Sequence, residues 1–310
     1  YNSLSHLSSF SEVGVFLQLR YAYTDFVHEL CGIIGGAEIL FPLLLAIILF
    51  LPPVATAILF AAACAIGAYE MLWRTGILKH KRILCYTVLM AVATVLWSWA
   101  MQSGRLTGEK AWLAALAGLF VFFVALFCEL LAAHTALSFT SLFAAVFSGV
   151  IYPLLIASLA RLRCMDAGHA FPYLTLTVFL LSMIADSGAY FVGRACGKHK
   201  LAPVVSPKKT WEGVIGGVIC NIAFMLLYLF LISKFCSVTV RYWTAPIYGV
   251  LGAAASVVGD LTLSVVKRQV KLKDYGNLIP GHGGILDRFD STMLVAPLTE
   301  LLVLLLPFAV

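Results

Sequence analysis

Hydrophobic residues come in long blocks along this chain, with the polar residues gathered between them. A helix needs about 20 apolar residues to cross the hydrocarbon core of a bilayer. Blocks of that size recur at 33–51, 54–73, 83–101, 111–132, 139–159, 172–193, 213–233, 245–266 and 291–310. The pattern predicts an all-α, polytopic integral membrane protein of about nine transmembrane helices. It divides the chain into an N-terminal segment (1–32), a first group of spans (33–171) and a second group (172–310) that holds the unusual polar stretches.

Composition agrees with the pattern. Hydrophobic residues make up 62% of the chain and charged residues 12%, against roughly half and a quarter in soluble domains. An ordinary soluble protein is excluded. Before the first span, Ser11 to Leu30 predicts a short helix carrying Arg20, Asp25 and Glu29, which fits an interfacial helix and a solvated one equally. The sequence begins at Tyr1, and nothing near it resembles a cleavable signal peptide. The 8 cysteines are scattered with no C-x-x-C pair, most of them in or beside spans, so neither a disulfide framework nor a zinc site is expected.

Lys and Arg in short loops stay on the cytoplasmic side. Of the 21 Lys and Arg, 15 lie before the first span or after spans two, four, six and eight, and 6 lie on the other side. The N-terminus is therefore predicted inside and the C-terminus outside. The polar segments after spans six and eight then face the cytoplasm, where nucleotides are available.

The first of these segments runs from Ala185 to Gly217. Asp186 lies within an apolar span, and a carboxylate near the bilayer centre costs about 2.5–3.5 kcal/mol even on lenient scales. It needs a partner or a function. Downstream, Arg194, Lys198, Lys200, Lys208 and Lys209 concentrate positive charge. Ser206 and Pro207 read as a helix start, which would put Lys208, Lys209 and Thr210 in the first turn beside free backbone N–H groups, a natural phosphate site. The same lysines also fit a simpler role in setting topology and touching lipid head groups.

The second segment starts inside span eight. Asp260, Ser264, Lys267 and Arg268 are spaced to share one helical face, with Asp260 deepest. Beyond them Pro280, Gly281, Gly283 and Gly284 deny regular structure, so the backbone can approach a ligand closely and offer N–H groups to an anion. Asp287 and Asp290 follow, three apart, with Arg288 between them. Asp260, Asp287 and Asp290 could converge from two helices. Carboxylates with only His282 as an imidazole suit a hard divalent cation such as magnesium better than zinc. The surrounding bases suggest a metal bridging to phosphates. An ordinary cap and ion pair remains open for Asp287 and Arg288, and a structural hydrogen bond for His282. Glu70, in GAYE at the end of span two, fits two places, lining the same polar cavity as Asp186 or, the better fit, an interfacial residue near Arg74 at i+4.

At Ser264 to Ser291, SVVKRQVKLKDYGNLIPGHGGILDRFDS, the chain resembles the CDP-diacylglycerol synthases, or phosphatidate cytidylyltransferases, whose signature is S-x-x-K-R-x-x-x-x-K-D-x-G-x-x-x-P-G-H-G-G-x-x-D-R-x-D. Every fixed position is present. The stretch DSGAYFVGRACGKHK with SPKKTWEG resembles the second conserved block of that family. The resemblance implies cytidylyl transfer from CTP to phosphatidic acid, giving CDP-diacylglycerol and pyrophosphate at the cytoplasmic face of a membrane, with the inner membrane expected. It implies magnesium at Asp260, Asp287 and Asp290, and Lys208 in the active site. Leu263 stands where related sequences often carry an acid, so both one cation and a second beside magnesium stay open.

Phosphate binding and leaving-group stabilisation are expected from Lys209, Lys267, Arg268 and Arg288, with His282, Gly283, Gly284, Ser264 and Asp186 lining the same cavity. Expected partners are CTP, phosphatidic acid, membrane lipids and, from the resemblance, a second copy of the chain as a homodimer; nucleic acid is not expected. Two other classes stand beside this reading, a CTP-dependent lipid kinase of the dolichol kinase type and a transporter. The full signature opposes the first. Against the second, the bases and glycine turns are concentrated on one side only.

Overall fold

A computed structural model describes residues 43–135, 137–167, 171–236, 238–276 and 283–309. The predicted N-terminal helix and most of the first span lie outside these residues; from 43 to 50 the chain is helical. The helices that follow are α1 (Pro53–Tyr69), which runs into a π-helical turn at Glu70–Arg74, α2 (Lys81–Gln102) and α3 (Glu109–Ala132). Next come α4 (Phe139–Val146) and α5 (Tyr152–Met165), joined through a second π-helical turn at Phe147–Ile151, and then α6 (Tyr173–Cys196). A hairpin of β1 (Lys200–Ala202) and β2 (Ser206–Thr210) leads to α7 (Trp211–Phe235), α8 (Ala245–Gln269) and α9 (Thr292–Leu305).

Among the described residues, 7 helices are long and apolar enough to cross a membrane, and each coincides with a block read from the sequence. The chain is a multi-pass, all-α membrane protein apart from its small hairpin. The last predicted span is shorter than expected, a 14-residue helix with Pro297 inside it. The outer surface of α3 carries exposed Trp112, Leu116, Phe120 and Leu131, as a lipid-facing helix should. Water offers such a face nothing, whereas hydrocarbon accepts it, provided every backbone group is bonded within the helix.

One apolar core extends from Ile48 to Phe308 and draws on helices from both halves of the chain. Its largest buried members include Tyr152, Tyr248, Tyr275, Phe60 and Phe308. The pair α6 and α7 packs backbone to backbone. A Cβ on Gly213 would fall 2.6 Å from Ala189 O, and one on Gly217 2.7 Å from Ala185 O. Small residues are what permit this approach where no hydrophobic effect drives helices together. At one end of the bundle Arg161 grips Glu300 at 2.6 Å, and Tyr248 Oη donates to Leu306 O at 3.1 Å. The polar segments collect at the other end.

The hairpin corrects one expectation. Ser206–Thr210 is not the first turn of a helix but a strand paired antiparallel with β1, Lys200 opposite Thr210 and Ala202 opposite Ser206. Pro207 pushes the residue before it towards extended backbone. Thr210 is the true cap, its Oγ1 accepting from Gly213 N at 3.2 Å, and α7 begins at Trp211.

Candidate active site

Four parts of the chain deliver polar side chains to the same end of the bundle: α6, β2, the last turns of α8, and the turn from Gly283 to Ser291. Asp186 on α6 accepts from Ser256 Oγ of α8 at 3.0 Å. Asp260 on α8 accepts from Ser264 Oγ at 3.1 Å and forms an ion pair with Lys209 of β2. About two helical turns beyond Asp260, Lys267 Nζ lies 2.9 Å from Asp287 Oδ1 and 3.9 Å from Asp290 Oδ2. Gly259 makes this possible: a Cβ there would fall 2.7 Å from Asp290 O.

The glycine turn is shaped around Asp287. Oδ2 accepts from Tyr275 N at 2.8 Å and from Gly284 N at 3.0 Å, while Oδ1 faces Lys267. Gly283 has φ +78°, and a Cβ on it would lie 2.9 Å from Asp287 Oδ2, so any other residue would be both strained and in the way of the carboxylate. Tyr275 is buried beneath, its hydroxyl donating to Leu263 O at 2.9 Å. Leu263 itself is fully buried in the core.

Burial, with the carboxylates of Asp260 and Asp186 nearby, pushes the Asp290 carboxyl up to about 8 even though Lys267 pulls it down. Asp186, Asp260, Asp287 and Asp290 meet two lysines here, so ionising all four carboxyls would leave negative charge in excess. An all-oxygen donor set fits a hard divalent cation in its chemistry, and Asp260 and Asp290 are the residues that would hold it. As they stand, no three acid, His or Cys side chains among the described residues are gathered at ligand spacing. Asp287 already takes three hydrogen bonds.

The structure thus brings together Asp186, Lys209, Asp260, Ser264, Lys267, Gly283, Gly284, Asp287 and Asp290. It sets others apart. Lys208 precedes Lys209 on a strand, so the two point to opposite faces; Lys209 meets Asp260 and Lys208 is exposed. Arg268 turns away from the acids and donates to Val205 O at 3.1 Å and Leu272 O at 3.1 Å, tying the hairpin to the end of α8. Arg288 is exposed, and His282 lies outside the described residues.

Sequence reasoning missed Ser256 and Tyr275, and for Glu70 it ranked the interfacial reading above the cavity-lining one. Glu70 is not interfacial: it is buried, and its two oxygens accept from Ile285 N at 3.1 Å and Leu286 N at 2.9 Å. The signal that could have found it is the cost of a carboxylate at the end of an apolar span.

Comparison with known proteins agrees with the motif. A phosphatidate cytidylyltransferase of Haemophilus influenzae is 50% identical over 148 residues, 46% of this chain and 50% of that protein. One of Staphylococcus haemolyticus is 44% identical over 129 residues, 42% of this chain and 48% of the relative. One of Staphylococcus aureus strain COL is 43% identical over 129 residues, with the same shares. The chain spans about half the length of the curated relatives it matches. The family match is longer, running from residue 36 to residue 306. The chain belongs to the Cytidylyltransferase family.

Proposed function

We propose that this protein transfers the cytidylyl group of CTP to phosphatidic acid, giving CDP-diacylglycerol and pyrophosphate. The observation that carries the reading is the meeting of Asp186, Asp260, Asp287 and Asp290 with Lys209 and Lys267 at one end of a membrane-spanning bundle. All of these except Asp260, which lies one helical turn before the signature, belong to the two motif blocks that resemble the phosphatidate cytidylyltransferases, the name carried by the relatives above.

A phosphate oxygen of the lipid attacks the α-phosphorus of CTP. A new P–O bond forms there as the bond from that phosphorus to the bridging oxygen of the β-phosphate breaks, and pyrophosphate leaves with the electron pair. Because a phosphate monoester is already largely ionised near neutral pH, no strong general base is needed. The difficulty is repulsion between an anionic lipid and a triphosphate. Lys209 and Lys267 stand at the acids and offset that charge. Magnesium held by Asp260 and Asp290, with Asp287 beside them, would supply further charge neutralisation and a fixed template for the triphosphate. Lys208 and Arg288, exposed near this end, would meet the outer phosphates.

The position of the site suits its substrates. Phosphatidic acid cannot leave the bilayer without exposing acyl chains and CTP cannot enter it, so the reacting atoms must lie at the boundary. The loop charges favour the cytoplasmic side, and a homodimer in the inner membrane completes the proposal.

The test is a product assay on purified protein in detergent, with phosphatidic acid, magnesium and CTP labelled separately in the cytosine ring and at the γ-phosphate. Ring label in lipid and γ-label in pyrophosphate are expected. γ-Label in lipid with release of CDP would overturn the reading in favour of a lipid kinase.

A further inference from the structure

We infer that Glu70 is a positioning residue for this site: from the N-terminal group of helices it clamps the backbone of the turn that presents Asp287 to Lys267. The inference rests on the reading above. Glu70 and its partners are more than 200 residues apart in sequence, the separations being 215 and 216. Its side chain is 2% exposed, and each oxygen takes one backbone N–H, of Ile285 and of Leu286. These are the residues between Gly284, which donates to Asp287, and Asp287 itself. Any shift of the two amides therefore moves the Asp287 carboxylate against Lys267.

Three features indicate that the chain is built to admit this side chain. Two glycines press directly on it: a Cβ on Gly284 would fall 2.5 Å from Glu70 Cδ, and one on Gly276 2.9 Å. Glu70 opens the π-helical turn that ends α1, where Thr75 N bonds back to Glu70 O at 3.3 Å. Such turns are rare and gather at functional sites. Phe60, on the same helix, meets Phe289 of the turn edge to face at 6.1 Å, so α1 holds the segment by apolar contact as well. Packing alone would call for an apolar residue, since a buried carboxylate in a span is costly. Two adjacent N–H groups need two acceptors. A carboxylate offers both, whereas a glutamine amide offers one and sets its own NH2 against the other donor.

The test uses the full chain purified in detergent, comparing wild type with Glu70→Gln. Hydrogen exchange across residues 283–290 is expected to speed up in the variant, at the amides of Ile285 and Leu286 first. The kcat for cytidylyl transfer is expected to fall about 10–100-fold, the range for residues that orient the groups around a reactive centre, with KM for CTP and for lipid little changed. Gly284→Ala gives an independent check, since its penalty in kcat should shrink when Glu70 is also replaced by Ala. Wild-type exchange and wild-type kcat in Glu70→Gln, or strict additivity in the double variant, would overturn the inference. Should Glu70→Gln fail to yield folded protein, Gly276→Ala crowds the same carboxylate and must reproduce both losses. A wild type that transfers no cytidylyl group refutes the proposed function instead, and the exchange measurement still reports on Glu70.

Discussion

Replacing Asp287 by Asn changes one oxygen to an NH2 group, and the structure indicates what that does. The best orientation keeps the remaining carbonyl oxygen where Oδ2 now stands, so the bonds from Tyr275 N and Gly284 N at 2.8 and 3.0 Å survive. The NH2 then faces Lys267 Nζ, which had a carboxylate oxygen at 2.9 Å. One charge-assisted hydrogen bond is lost, about 1.5–3 kcal/mol. Lys267, 9% exposed, is left with Asp290 at 3.9 Å as its nearest acid. If that loss falls wholly on the transition state, kcat/KM drops roughly 10- to 150-fold. The protein should still insert and purify, because the turn keeps its backbone bonds. The assay is initial-rate release of pyrophosphate at saturating phosphatidic acid with CTP varied, together with the thermal midpoint in detergent. Asp287→Ala, which loses all three bonds, should be worse in both respects. Turnover of Asp287→Asn within about twofold of wild type, well below one such hydrogen bond, would refute the role given to the Asp287–Lys267 pair.

Other expectations follow from single contacts. Lys209→Ala removes the partner of Asp260 and should lower turnover more than Lys208→Ala, whose effect should fall on KM for CTP; steady-state kinetics of both variants decide it, and the reverse ranking would contradict the strand geometry. Gly283→Ala forces a residue with a Cβ into φ +78° against Asp287, which costs about 1–2 kcal/mol, read as a lower thermal midpoint together with reduced activity. Chelation of divalent cations should abolish transfer and magnesium should restore it; undiminished turnover in chelator would remove the cation from the mechanism. At the opposite end, Arg163 donates to Ile48 O at 3.1 Å and Leu51 O at 3.1 Å, so Arg163→Leu should cost about 3–6 kcal/mol of stability while turnover per folded molecule is unchanged.

Much of this protein was legible in its sequence. Burial in hydrocarbon needs only length and apolar character, both local properties, so the blocks from 54 to 266 matched helices closely. The acids and bases of the site were equally visible, because a charge in such a chain has to be explained wherever it falls. Asp186, Asp260, Lys267, Asp287 and Asp290 stood out on that ground alone. Tertiary structure decided which charges meet. Ser206–Thr210 could begin a helix or pair as a strand, and only the presence of Lys200–Ala202 beside it settled that Lys209, not Lys208, reaches Asp260. The role of Glu70 was further out of reach, since its partners are backbone amides at 285 and 286 and backbone groups have no identity in a sequence. Spans are set by the free energy of moving each block into lipid, a sum over its own residues. The site is set by hydrogen bonds between segments far apart in the chain, and these exist only once the helices have packed.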